Sequence, residues 1–121
     1  MLELFVTLLF VHYVFDFCLQ SDFMSKYKGK LPFVMFVHVF VWTFAVCWIA
    51  TYFGTLSWWV PIFLFVGHWV CDAGKIKLIE KENLKDETNP DTLARLKFLF
   101  HADQAWHVVQ ILIVTLFGVL V

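Results

Sequence analysis

The sequence predicts an all-α protein, a membrane-embedded antiparallel four-helix bundle in one domain over residues 1–121. Three observations predict it. Of the 121 residues, 61% are hydrophobic and 20% aromatic, including 15 Phe and 6 Trp. Only 16% are charged, whereas a soluble domain carries about a quarter. Four apolar stretches approach the ~20 residues that cross a hydrocarbon core of about 30 Å. This composition excludes a disordered chain, a basic nucleic-acid-binding domain and an ordinary water-soluble enzyme. The expected surroundings are a lipid bilayer, with no nucleic-acid partner.

The expected spans are 2–19, 31–52, 56–73 and 96–121. The first lacks the basic leader and small-residue cleavage site of a signal peptide. It also carries His12 and Asp16, so it is read as retained. A polar loop, 21–30, joins the first and second spans. Only a short turn near Gly54 separates the second from the third. A longer polar segment, 75–95, precedes the fourth. Within it, Thr88-Asn89-Pro90-Asp91 reads as a helix start, with a capping side chain and Pro in the first turn. That start lies ahead of the fourth span, and the rest of the segment reads as a solvated arm.

All nine Lys and Arg residues fall between 26 and 30 or between 75 and 97. The positive-inside rule then places both loops in the cytoplasm and both termini outside. Tyr52, Trp58 and Trp59 fit an aromatic belt at the outer interface. Trp42 and Trp48 sit too deep for a belt and read as packing residues. Cys18, Cys47 and Cys71 lie in apolar runs without CxxC spacing, which reads as buried small hydrophobes rather than as a metal or disulfide framework.

The buried polar residues carry the functional argument. His12, Asp16 and Gln20 form one helical stripe, as do His68, Asp72 and Lys75, and Asp103, His107 and Gln110. His38 stands alone on the second span, and His101 points away from its neighbours' stripe. At 1.5 Å per residue, His12, His38, His68 and His107 lie about 10–15 Å from the loop side. Asp16, Asp72 and Asp103 form a shallower layer. A buried Asp costs roughly 3 kcal/mol, whereas an interhelical polar contact in a membrane returns only about 0.6 kcal/mol. Structural pairing alone therefore does not account for three carboxylates, and intramembrane ionisable groups usually carry function.

Imidazole and carboxylate together suit a divalent metal, zinc first, with iron or manganese as alternatives. His12, His38, His68, His107, Asp16, Asp72 and Asp103 are the candidate ligands. Asp16, Asp72 and Asp103 are also the candidate catalytic carboxylates. Lys75 and Gln20 are candidates to bind substrate, Lys75 alternatively pairing with Asp72. Gln104 and Gln110 read as groups that orient ligands or join helices. The expected function is a metal-dependent hydrolase whose site opens to the cytoplasm. Its substrate would be a lipid headgroup, a lipid-linked phosphate or a small anion, drawn by Lys26, Lys28, Lys30 and Lys75. Two readings stand beside it: a non-catalytic membrane subunit or regulator with a structural core, and a proton or cation transporter, which would need a homo-oligomer. The apolar outer half (Phe5, Leu8, Phe44, Trp48, Phe63, Leu116) argues against a through-channel.

The order His12-x3-Asp16-Phe17-x2-Gln20, His38, His68-x3-Asp72, Asp103-Gln104-x2-His107 resembles a group of small membrane proteins from bacteria and their phages, catalogued as a domain of unknown function. The resemblance covers nearly the whole chain. It implies a bacterial or phage source and an inner-membrane location, and it supplies no reaction.

Overall fold

The computed structural model describes residues 1–18 and 21–120. These form five α-helices: α1 (Leu2–Tyr13), α2 (Asp22–Tyr27), α3 (Pro32–Ala50), α4 (Val60–Lys81) and α5 (Pro90–Ile113). Helices α1, α3, α4 and α5 close a ring in which each packs on two neighbours. The architecture is thus all-α, as expected. One helix, Pro32–Ala50, is long and apolar enough to cross a membrane by length and composition. Among the described residues, no helix at the other three expected spans meets that measure, so four spans are not shown, and each of the three differs in its bounds.

The first is α-helical only to Tyr13 and continues as a π turn over Val14–Cys18. The extra residue per turn keeps Asp16 buried, and such turns recur at functional sites. The third begins at Val60, with Pro61 in its first turn, and runs to Lys81 rather than ending near 73. Ala, Lys, Leu and Glu beyond Asp72 are good helix formers, which a hydropathy reading does not register. The fourth starts at Pro90, where Asn89 Oδ1 accepts the Asp91 amide at 2.9 Å. It ends in a second π turn, Val114–Gly118. There the Thr115 hydroxyl donates back to the Ile111 carbonyl at 2.9 Å.

Three features lay outside the sequence reading. The 21–30 loop holds α2, capped by Ser21 Oγ accepting from the Met24 amide. Strand β1 (Thr55–Leu56) pairs antiparallel with β2 (Val119–Leu120), tying the α3–α4 turn to the end of α5. Gly54 is required there, since a Cβ would overlap the Leu120 carbonyl oxygen. Arg95 donates two bonds to Glu82, at 2.9 and 3.0 Å, pinning α5 to the end of α4. That guanidinium holds the Glu82 carboxyl below its ordinary range.

The interior has two layers. Leu4, Leu8, Trp42, Val46, Leu64, Ile111 and Val114 fill the half nearest the strand pair. Histidines and carboxylates fill the other half. The outer surface is apolar, with Phe10, Phe33, Phe44, Ile62, Val70 and Phe117 all exposed. Trp48 is exposed too, not packed inside as expected, because it faces away from the ring. Cys18 is likewise exposed at the end of its π turn, and Cys47 and Cys71 are half-buried; all three are free thiols.

Asn89→Ala should lower stability by about 1 kcal/mol, and Asn89→Gly by only a few tenths, as for other N-caps. Thermal unfolding of the three forms in one detergent checks this. Equal midpoints would remove the cap from the account.

Candidate metal centre

Helix α1 supplies His12, and the π turn after it supplies Asp16. Helix α3 supplies His38, α4 supplies His68 and Asp72, and α5 supplies Asp103 and His107. All seven side chains expected as ligands are brought into one interior layer, each exposed by 5% or less. Gln20 lies outside the described residues.

The imidazoles of α3 and α4 meet directly. His38 Nε2 lies 3.1 Å from His68 Nε2. Asp16 Oδ1 is 3.3 Å from His38 Nε2 and 3.8 Å from His68 Nε2. Asp72 Oδ2 is 3.4 and 3.5 Å from the same two atoms. On α5, His107 Nε2 lies 3.3 Å from Asp103 Oδ1 and 4.0 Å from Asp72 Oδ1. The His107 ring stacks on that of His68, with centroids 4.2 Å apart and planes at 15°. Two groups could each hold a metal ion: Asp16, His38 and His68, and His68, Asp72 and His107. Within each, the donor atoms lie within 4.8 Å of one another.

Hydrogen bonds outside this cluster fix which atoms face it. Gln110 Nε2 donates to the Phe63 carbonyl, which turns Gln110 Oε1 toward His107 Nδ1 at 3.2 Å. His107 Nδ1 therefore donates to Gln110 Oε1, and Nε2 faces Asp103 Oδ1. Neither atom has a hydrogen-bond partner among the described residues, nor does His68 Nδ1. Gly67 makes this possible, because a Cβ there would overlap the Gln110 amide.

His12 is arranged differently from the other three. The Trp42 indole N–H donates to His12 Nδ1 at 3.0 Å. His12 Nε2 then carries the proton and donates to Gln104 Oε1 at 3.0 Å. The Gln104 amide in turn donates to Asp16 Oδ2 at 3.1 Å and Asp103 Oδ2 at 3.2 Å. With both ring nitrogens engaged, His12 stands one step behind the cluster and orients two carboxylates through Gln104. Neither candidate group includes His12, which was expected among the ligands. Depth alone does not reveal which partners a ring nitrogen meets. Trp42, read as a packing residue, is the donor that sets the His12 tautomer; its i, i+4 relation to His38 on one helix face was the available signal.

The two lysines close the layer on the loop side. Lys28 donates to Asp72 Oδ2 at 3.0 Å. Lys75 donates to Asp103 Oδ2 at 2.9 Å and lies 3.5 Å from Asp72 Oδ1. Lys75 is thus an ion-pair partner of both carboxylates. Each carboxylate meets a fixed donor and also faces an imidazole, the pattern by which outer partners orient metal-binding groups. Three carboxylates against two ammonium groups leave one negative charge inside the bundle.

The donor set fits a cation. Nitrogen and oxygen atoms bound tetrahedrally at 2.0–2.2 Å stand about 3.3–3.6 Å apart. The separations among His38, His68, Asp16 and Asp72 run from 3.1 to 3.8 Å.

Trp42→Phe removes the donor and leaves a smaller ring in a fully buried place. The unsatisfied acceptor should cost about 1–3 kcal/mol, with a cavity cost added to it, read by thermal unfolding. Nitrogen NMR of the wild-type ring should show His12 as the neutral Nε2–H tautomer. A protonated Nδ1 would refute the chain of bonds.

No curated protein and no solved structure matches the chain. A family model described as "Protein of unknown function (DUF3307)" matches residues 4–121. The chain belongs to that family.

Proposed function

We propose that this is a multi-pass protein of the bacterial inner membrane that binds a divalent metal, zinc first, and uses it for hydrolysis on the cytoplasmic side. One observation carries the metal: two buried groups, Asp16–His38–His68 and His68–Asp72–His107, each bring their donor atoms within 4.8 Å of one another. Converging imidazole and carboxylate lone pairs repel, and a cation among them reverses the sign. His38, His68 and His107, with Asp16 and Asp72, are the ligands in this reading. A metal bound there would supply an activated water at neutral pH. Asp103, anchored through Oδ2 by Lys75 and Gln104, keeps Oδ1 free to take the proton. Lys28 and Lys75 orient Asp72 and Asp103 and give the mouth its positive charge.

The membrane reading rests on inverted polarity. Histidines and carboxylates are inside, while phenylalanines and valines cover the outside. Soluble proteins rarely expose large contiguous apolar surface, and buried charge pairs are the expected arrangement in lipid. The lysines at one end favour a cytoplasmic mouth. Polar groups stop halfway along the bundle, which favours a one-sided pocket over a transport path.

A structural metal in a non-catalytic subunit is the second reading. It is favoured by the near-complete burial of the ligands beneath Lys28 and Lys75. An exchangeable bound water marks a catalytic site and a closed shell a structural one. Water-proton relaxation of the manganese-loaded protein separates them: strong enhancement supports hydrolysis, and none supports a structural ion.

Metal content after purification in detergent tests the site itself. Wild type and the surface variant Lys85→Gln should carry equal, stoichiometric metal. His38→Gln, His68→Gln and His107→Gln should lose it, with size-exclusion and circular dichroism confirming the fold. His12→Gln should retain it with affinity weakened about 10- to 100-fold, as for other groups that orient ligands. Equal metal in all variants, or none in wild type after zinc loading, would overturn the proposal.

A further inference from the structure

Beside the buried centre, on the loop side, lies a cavity of about 290 Å³ lined by Lys26, Lys28, Lys30 and Lys75, with Glu80 the one acid among its lining residues. The sequence explains the concentration of charge. Lys26, Lys28 and Lys30 alternate along one short segment, and α4 brings Lys75 against it. The segment is held in place. Gly29 packs so closely on Ile76 that a Cβ would come within 2.9 Å of that side chain. Lys26 and Lys30 reach over the Tyr27 ring at 5.5 and 5.7 Å. Neither forms an ion pair among the described residues. An ammonium has three donors, and Lys28 uses one of its own on Asp72.

A second cavity, of about 230 Å³, shares Lys28, Gly29, Lys30, Ile76 and Glu80 with the first and adds Lys77. It runs between α3 and α4, past Pro32, to Met35, Trp69 and Ala73. Lysines line both cavities where they join, and the second alone continues to an apolar end at Pro32, Met35, Trp69 and Ala73. A free anion would use only the lysine end. An amphiphile with a phosphate head would use both, its head on the lysines and the root of its chain against Trp69 and Met35.

We propose that this paired cavity binds a phosphate-bearing lipid, and that its head lies one lysine away from the buried carboxylates. Lys28 and Lys75 line the cavity and also hold Asp72 and Asp103, so the phosphate competes for the ammonium groups that close the centre. The inference deepens the hydrolase reading by naming the substrate class, and it rests on that reading for the cytoplasmic position of the lysines. It commits to a phosphate on an acyl chain over a soluble phosphate.

Native mass spectrometry of the detergent-solubilised protein tests it, with dioleoyl phosphatidic acid, dioleoyl phosphatidylcholine and inorganic phosphate as the three probes. Phosphatidic acid should bind at one per chain, at least tenfold more tightly than phosphatidylcholine or inorganic phosphate. The double variant Lys26→Gln/Lys30→Gln should lose at least tenfold in that affinity. Ala73→Phe, which fills the apolar end, should weaken phosphatidic acid while leaving inorganic phosphate unchanged. Equal binding of all three probes, inorganic phosphate binding as tightly as the lipid, or full affinity in the lysine variant would each overturn the proposal. Metal content is measured on the same samples. Lipid binding without metal would sink the metal reading alone, and metal without lipid binding would sink this one alone.

Discussion

The structure depends on one constraint: three carboxylates and four imidazoles, drawn from every long helix of the ring, are sealed inside it and must satisfy one another. Each is exposed by 5% or less, and each unpaired ionised group in such a place is costly. The solution couples the helices. Asp16 is held by Gln104 of α5, Asp72 of α4 by Lys28 from the α2–α3 connection, and Asp103 of α5 by Lys75 of α4. A one-residue shift of α4 or α5 would break two of these bonds, and a shift of α1 would break one. The register of the bundle is thus set by polar contacts on the loop side and by the Leu, Val and Trp42 layer on the other.

The same network sorts histidines of similar burial into different roles. His12 receives the Trp42 N–H and gives its own proton to Gln104, which leaves it no lone pair to offer. His107 donates from Nδ1 to Gln110 Oε1 and turns Nε2 toward Asp103. What distinguishes them is the neighbour, a donor-only indole in one case and an oriented amide oxygen in the other. Gly67 and Trp42 therefore help set the geometry of the buried cluster. Lys28 and Lys75 extend the network outward, joining the buried charge to a basic cavity at the surface.

The all-α class, the depth match of the histidines and the convergence of His38, His68, His107 and the three Asp residues were legible in the sequence, because helical periodicity and rise are fixed geometry. The start of α5 at Pro90 was legible from Asn89-Pro90 for the same reason. The extension of α4 to Lys81 was not, because a polar helix leaves no hydropathy signal. The π turns at Val14–Cys18 and Val114–Gly118 and the Thr55–Leu56 pairing with Val119–Leu120 were also hidden. They depend on contacts between residues far apart in the chain. The displacement of His12 behind the ligands follows from a bond between α1 and α3, and stripe geometry within one helix cannot report it.

X-ray absorption at the zinc edge of the metal-loaded protein tests the central claim most directly. The account predicts a shell of nitrogen and oxygen at about 2.0–2.1 Å, with the outer scattering of two or three imidazoles. A shell containing sulfur, or one of oxygen alone without imidazole scattering, would contradict it.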